Sequence, residues 1–60
     1  MKIHIISSGN KWCAKKEGAK RALKVFKYRE IAFNYACCLC KVGQDLVIVH
    51  NKDGSVHFTF

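Results

Sequence analysis

Only one stretch of this chain has the periodicity of a helix. From Arg29 to Val42, at about 100° per residue, Ala32, Tyr35, Ala36 and Leu39 fall on one side of a wheel. Glu30, Asn34, Cys37 and Lys41 fall on the other. Ile31, Cys38 and Val42 border the apolar side on one flank, and Phe33 and Cys40 on the other, so the apolar arc is unusually wide. Gly43 is placed to cap the C-terminal end. A lone helix can cover only one face of a sheet, so strands must supply the rest of the fold.

The remaining segments read as strands. MKIHII sets Ile3 and Ile5 against Lys2 and His4, the alternation of a half-buried strand, and SSGNK turns the chain at Gly9 and Asn10. WCAKK is a second strand anchored by Trp12, and Gly18 supplies the next turn. KRALKVF gives a third, with Leu23 and Val25 alternating with Ala22, Lys24 and Phe26. After the helix, the β-branched LVIVH is a fourth strand. Asp53-Gly54 suits a tight hairpin, and SVHFTF alternates Val56, Phe58 and Phe60 with Ser55, His57 and Thr59. Hairpin-length connections imply antiparallel pairing. The expected fold is α+β: a two-layer sandwich, an antiparallel β-β-β-α-β-β sheet with one helix packed on one face.

Sixty residues make a single domain spanning residues 1–60. A chain of this length buries only about 60% of its unfolded surface, so its core is small. No run of 18 or more apolar residues and no secretory signal pattern is present in the sequence, and the expected location is cytoplasmic. Cytoplasmic thiols are kept reduced, and three of the four cysteines are bunched at Cys37, Cys38 and Cys40 with only Cys13 elsewhere. A disulfide framework is not expected.

Charge is distributed unevenly. Lys11, Lys15, Lys16, Lys20, Arg21, Lys24, Lys27 and Arg29 lie in one segment with a single acid, Glu17. That segment accounts for the whole formal charge of +7, because the rest of the chain has three bases and three acids. Such asymmetry suits an anionic partner: nucleic acid, an acidic protein or a membrane surface. The plainer alternative is a solvated face that keeps a small domain soluble.

Taken in order, WCAKKEGAKRALKVF, an alanine-bearing helix and LVIVHNKDG resemble a small bacterial family known as domain of unknown function 2188. Trp12, Lys15, Glu17, Gly18, Arg21, Ala22 and Phe26 match its first motif, Ala32 and Ala36 its helix, and Leu46, His50, Asp53 and Gly54 its last. The resemblance runs from His4 to Val56 and implies a β-β-β-α-β type of fold and no established activity. Two departures stand out. Lys27-Tyr28 replaces the Asp-Thr or Asp-Ser that caps the helix in relatives, and Phe33, Cys37, Cys38 and Cys40 replace polar helix residues.

The cysteines decide whether a metal or redox centre is in view. Cys37 and Cys40 have C-x-x-C spacing, but they lie within the helix, and His4, His50 and His57 are scattered singly. A thioredoxin-like pair belongs at a helix N-terminus, whereas these lie in the C-terminal half. Free cysteine packs as a small hydrophobe. The preferred reading is therefore packing: Cys40 covers the sheet, Cys38 borders the apolar arc and Cys37 is the most exposed. No metal and no cofactor are expected. Four unpaired acids, no phosphate loop and no nucleophile elbow leave no catalytic constellation, so an enzyme is not expected. His50 reads as structural and Trp12 as a core anchor, although an indole beside Lys11 and Lys15 could stack on a base.

Two functions remain. One is a nucleic-acid-binding domain that uses the Lys11–Arg29 bases. The other is a protein-interaction or homodimerisation module that uses the helix flanks, with Ile31, Phe33 and Cys38 as candidate contacts, or a strand edge.

Overall fold

A computed structural model describes residues 1–41 and 43–60. Five strands and one helix follow in the order β1 (Lys2–Ser8), β2 (Lys11–Lys16), β3 (Lys24–Phe26), α1 (Arg29–Leu39), β4 (Leu46–His50) and β5 (Val56–Thr59). The strands form one sheet in the order β3-β2-β1-β4-β5, with α1 on one face. The α+β two-layer sandwich expected from the sequence is therefore the fold.

The sheet is mixed rather than wholly antiparallel. β1 pairs with β2, β2 with β3 and β4 with β5 antiparallel, but the central β1–β4 pair is parallel. The helix explains the difference. A strand followed by a helix on the sheet face returns to the end it started from, so β4 must run parallel to β3 and hence to β1. Hairpin logic holds at the other three joints, where short turns reverse the chain.

Alternation along the strands sets the core. Ile3 and Ile5 on β1, Trp12 and Ala14 on β2, and Val47 and Val49 on β4 are buried facing the helix. Ala32 and Ala36, one helical turn apart, complete the core. Their small side chains let the helix axis settle close to the sheet, where larger residues would hold it off.

Several element boundaries differ from expectation. β3 is only Lys24–Phe26, and residues 20–23 belong to its approach. Ser7 and Ser8 join β1, so the first hairpin turns on Gly9, at φ +60°, and Asn10. A five-residue loop, rather than a tight two-residue turn, joins β4 to β5; its ends are tied by a hydrogen bond from Asn51 N–H to the Ser55 carbonyl.

The helix ends at Leu39, with Cys40 as an extended C-cap, so Gly43 does not cap it. Gly43 instead sits at φ +83° in the turn that follows. Val42, expected to close the helix, lies outside the described residues. At the other end Tyr28 is the N-cap and makes no side-chain cap bond, in keeping with the missing Asp or Ser.

The helix is also rolled from its expected orientation. Phe33 turns inward and meets Phe58 and Phe60 edge-on at centroid distances of 5.5 and 5.7 Å. Cys37 and Cys40 follow it onto the core, while Cys38 is exposed. Leu39, placed at the centre of the buried side by the wheel, stands 44% exposed. The roll buries the large Phe33 ring against Phe58 and Phe60 at the cost of exposing Leu39.

Candidate functional site

The eight bases from Lys11 to Arg29 gather at the β2–β3 edge but not on one face. Lys15 pairs in register with His4 and Lys11 with Ser8, which places them on the face away from α1. Lys16 aligns with Ile3, and Lys24 with Ala14, on the helix side. Lys20 and Arg21 lie in the β2–β3 connection, and Lys27 and Arg29 flank the start of α1. Among the described residues, the carboxylates within 4 Å of a cationic group serve Met1, Lys2 and His4, so none of these eight bases is in an ion pair.

Aromatic rings hold three of them instead. The Arg29 guanidinium lies 5.3 Å from the Trp12 ring centroid, and Lys24 Nζ lies 5.7 Å from Phe26 and 5.9 Å from Tyr35. Trp12 and Phe26 are register partners on adjacent strands, and Phe26 and Tyr35 have centroids 5.2 Å apart. Lys27 Nζ is 5.6 Å from the ring of Tyr28, which is 53% exposed. Trp12, Phe26 and Tyr35 with Arg29 and Lys24 thus form one cluster of rings and cations on the helix side of this edge, and Lys27 with Tyr28 lies at the start of α1. Trp12 is the core anchor expected, at 9% exposure, and Arg29 lies over it.

The opposite face brings together residues that looked scattered. His4 Nδ1 lies 2.9 Å from His50 Nε2. His4 Nε2 is 3.2 Å from Glu17 Oε1, and His50 Nδ1 is 3.1 Å from the Gly54 carbonyl. The isolated reading of His4 and His50 is thus corrected by the fold. Their signal was weak because it depends on the register of two parallel strands: His4 aligns with Ile48, two residues before His50. Glu17, His50 and Gly54 had already stood out as positions of the family pattern. Glu17 is delivered by its own backbone N–H, which donates to the Lys2 carbonyl at 2.9 Å, and its carboxylate also faces Lys2 Nζ at 3.9 Å.

Cys37 and Cys40 line an open cleft of about 500 Å³ beneath the end of α1, walled by Leu46, Val47 and Phe60. Burial pushes the Cys37 thiol up, helped by Cys40 and Cys38. Burial also raises Cys40, with Asp45 adding to the shift and the N-terminal ammonium opposing it. Both therefore remain thiols at neutral pH, poor nucleophiles and poor metal ligands. Among the described residues, no three His, Cys, Asp or Glu side chains converge as a metal site.

Of the candidate interface residues, Phe33 is taken up by its contacts with Phe58 and Phe60, while Ile31 and Cys38 are exposed. No helix among the described residues is long and apolar enough to cross a membrane.

Residues 3–59 match the family described as uncharacterized protein conserved in bacteria, DUF2188. The chain belongs to this family. No curated protein and no solved structure matches it. The motif positions that resemble DUF2188 in the sequence fall on both surfaces described above. Trp12 and Phe26 lie in the aromatic cluster, and Glu17, His50 and Gly54 lie in the hydrogen-bonded chain.

Proposed function

We propose that this domain is a non-catalytic binding module whose partner is nucleic acid, held through phosphate contacts at the β2–β3 edge. The observation that carries this reading is the set of eight bases from Lys11 to Arg29, none in an ion pair among the described residues. Bases kept free of carboxylates at one edge of a domain with a net charge of +7 form a field that attracts a polyanion.

Binding of this kind releases counterions. Four duplex phosphate contacts give a slope of log K against log[salt] of about −3.6. Fluorescence polarisation with labelled duplex DNA, duplex RNA and single strands across a salt series is the direct test. Lys20→Glu, Arg21→Glu and Lys24→Glu should each weaken binding whatever the sequence, whereas Lys41→Glu and Lys52→Glu should matter less. No binding to any of these at low salt removes the proposal and leaves the charge as a solubilising surface.

Self-association is the second reading. Ile31, 49% exposed, and Cys38 lie two turns apart on the outer face of α1. Each copy carries a net charge of +7, so two copies repel overall, which weighs against it. Sedimentation settles the matter: a wild type that stays monomeric at millimolar concentration ends this reading.

A further inference from the structure

We infer that the nucleic acid bound at this edge is single-stranded and is gripped by its bases as well as its phosphates; this rests on the nucleic-acid reading above. Three of the eight basic residues sit against aromatic rings. Arg29 covers Trp12, Lys24 sits by Phe26 and Tyr35, and Lys27 lies against the exposed ring of Tyr28. Of these rings Tyr28 is the exposed one, so a flexible strand can set its phosphates against the ammonium and guanidinium groups and lay an unstacked base on that ring. Tyr28 offers a ring face to solvent. Arg29, spread over Trp12, offers a planar guanidinium, which stacks on bases as readily as an aromatic ring does.

A duplex is served less well. Its bases are already stacked and reach a protein only through the grooves, and a helix is the usual element to enter them. The outward side of α1 presents Glu30, Ile31, Asn34 and Cys38, a sequence with an acid and no base. It would bring negative charge and apolar surface to the phosphates. The Tyr28 ring has nothing to stack on in an intact duplex.

The test compares four labelled probes of equal length at one salt concentration: oligo-dT, oligo-rU, a mixed-sequence duplex, and a single strand of abasic spacers. The spacer strand carries the phosphates without the bases. Oligo-dT or oligo-rU should bind about 10-fold or more tightly than both the duplex and the spacer strand. Tyr28→Ala should weaken oligo-dT binding about 5-fold or more while leaving its salt slope unchanged. Tyr28→Trp should restore binding, which separates loss of the ring from any effect on the helix start. Lys27→Gln should instead flatten the slope by about 0.7, one single-strand contact. Equal affinity for the spacer strand and oligo-dT, or a neutral Tyr28→Ala, overturns the stacking inference and leaves phosphate binding standing. Failure of all four probes to bind at low salt overturns the nucleic-acid reading itself.

Discussion

The Nδ1 atom of His4 lies 2.9 Å from the Nε2 atom of His50, across 46 positions of sequence. The two rings are inclined by 29°, with centroids 5.1 Å apart. Their outer nitrogens face groups that only accept: the Glu17 carboxylate and the Gly54 carbonyl. Both outer nitrogens must therefore donate. The inner contact joins the two rings directly. This chain ties the β2–β3 connection, β1, β4 and the β4–β5 loop together across the face that α1 leaves open.

Such a chain predicts coupled, not independent, losses. His4→Ala and His50→Ala should each destabilise the fold by about 1 kcal/mol, the net worth of an ordinary hydrogen bond. The double variant should cost less than their sum by about 0.5 kcal/mol or more, because either change breaks the shared contact. Urea denaturation of the four proteins measures this cycle. Strict additivity would show that the two rings do not stabilise each other.

Phe33 and Ile31 lie on opposite flanks of α1 and should respond oppositely to substitution. Phe33→Ala removes both edge-on contacts with Phe58 and Phe60 and should cost about 2–3 kcal/mol, below the range for a fully buried Phe. Ile31→Lys, on the exposed side, should change stability by no more than about 0.5 kcal/mol. Equal costs at the two positions would mean that the helix is not rolled toward β5.

The cysteines should separate by reactivity. Cys38 is exposed, whereas burial raises the Cys37 and Cys40 thiols and keeps them protonated at neutral pH. Timed alkylation with mass spectrometry should find Cys38 modified first. Cys37→Ala combined with Cys38→Ser should preserve the fold at a cost of about 1–2 kcal/mol. Chelator should leave the circular dichroism and the Tm unchanged, and a collapse in chelator would reassign the thiols to a structural metal.

Asp45 gives the fold an acid-side pH dependence. Its carboxylate accepts from the Met1 ammonium and from the Lys41 backbone N–H, both at 2.8 Å. The ammonium hydrogen bond chiefly, and the Lys41 bond after it, hold its pKa below the usual carboxylate value. A lowered folded-state pKa stabilises the protein above the unfolded value, and that contribution is lost as pH falls through the folded one. Wild type should therefore exceed Asp45→Asn in Tm at neutral pH, and the two should converge in acid. A gap that stays constant with pH would assign the effect to shape rather than charge.

Local periodicity was enough to read the elements and the class of fold. Ile3 and Ile5, Val47 and Val49, and Ala32 and Ala36 are written in the sequence at strand and helix spacing, and each pair lies in the core. The bare start of the helix at Lys27-Tyr28 was legible for the same reason, since capping depends on neighbours in the chain. The family pattern was legible too, because it is a matter of order and spacing.

What tertiary structure decided involves competition or distance. The helix wheel ranks side chains by spacing alone. Only the presence of Phe58 on β5 and Phe60 just beyond it shows why Phe33 goes in and Leu39 stays out. The parallel β1–β4 pair follows from where the helix returns the chain, and that pair's register sets His4 beside His50. The basic segment was visible as a charge, but its division between two faces comes from pairing across strands, and the seats of Lys24 and Arg29 on Phe26, Tyr35 and Trp12 come from the packing of strands and helix. Spacing along a chain records which residues share a face of one element. Which faces then meet depends on contacts between elements far apart in sequence, and those form only when the sheet and helix close on each other.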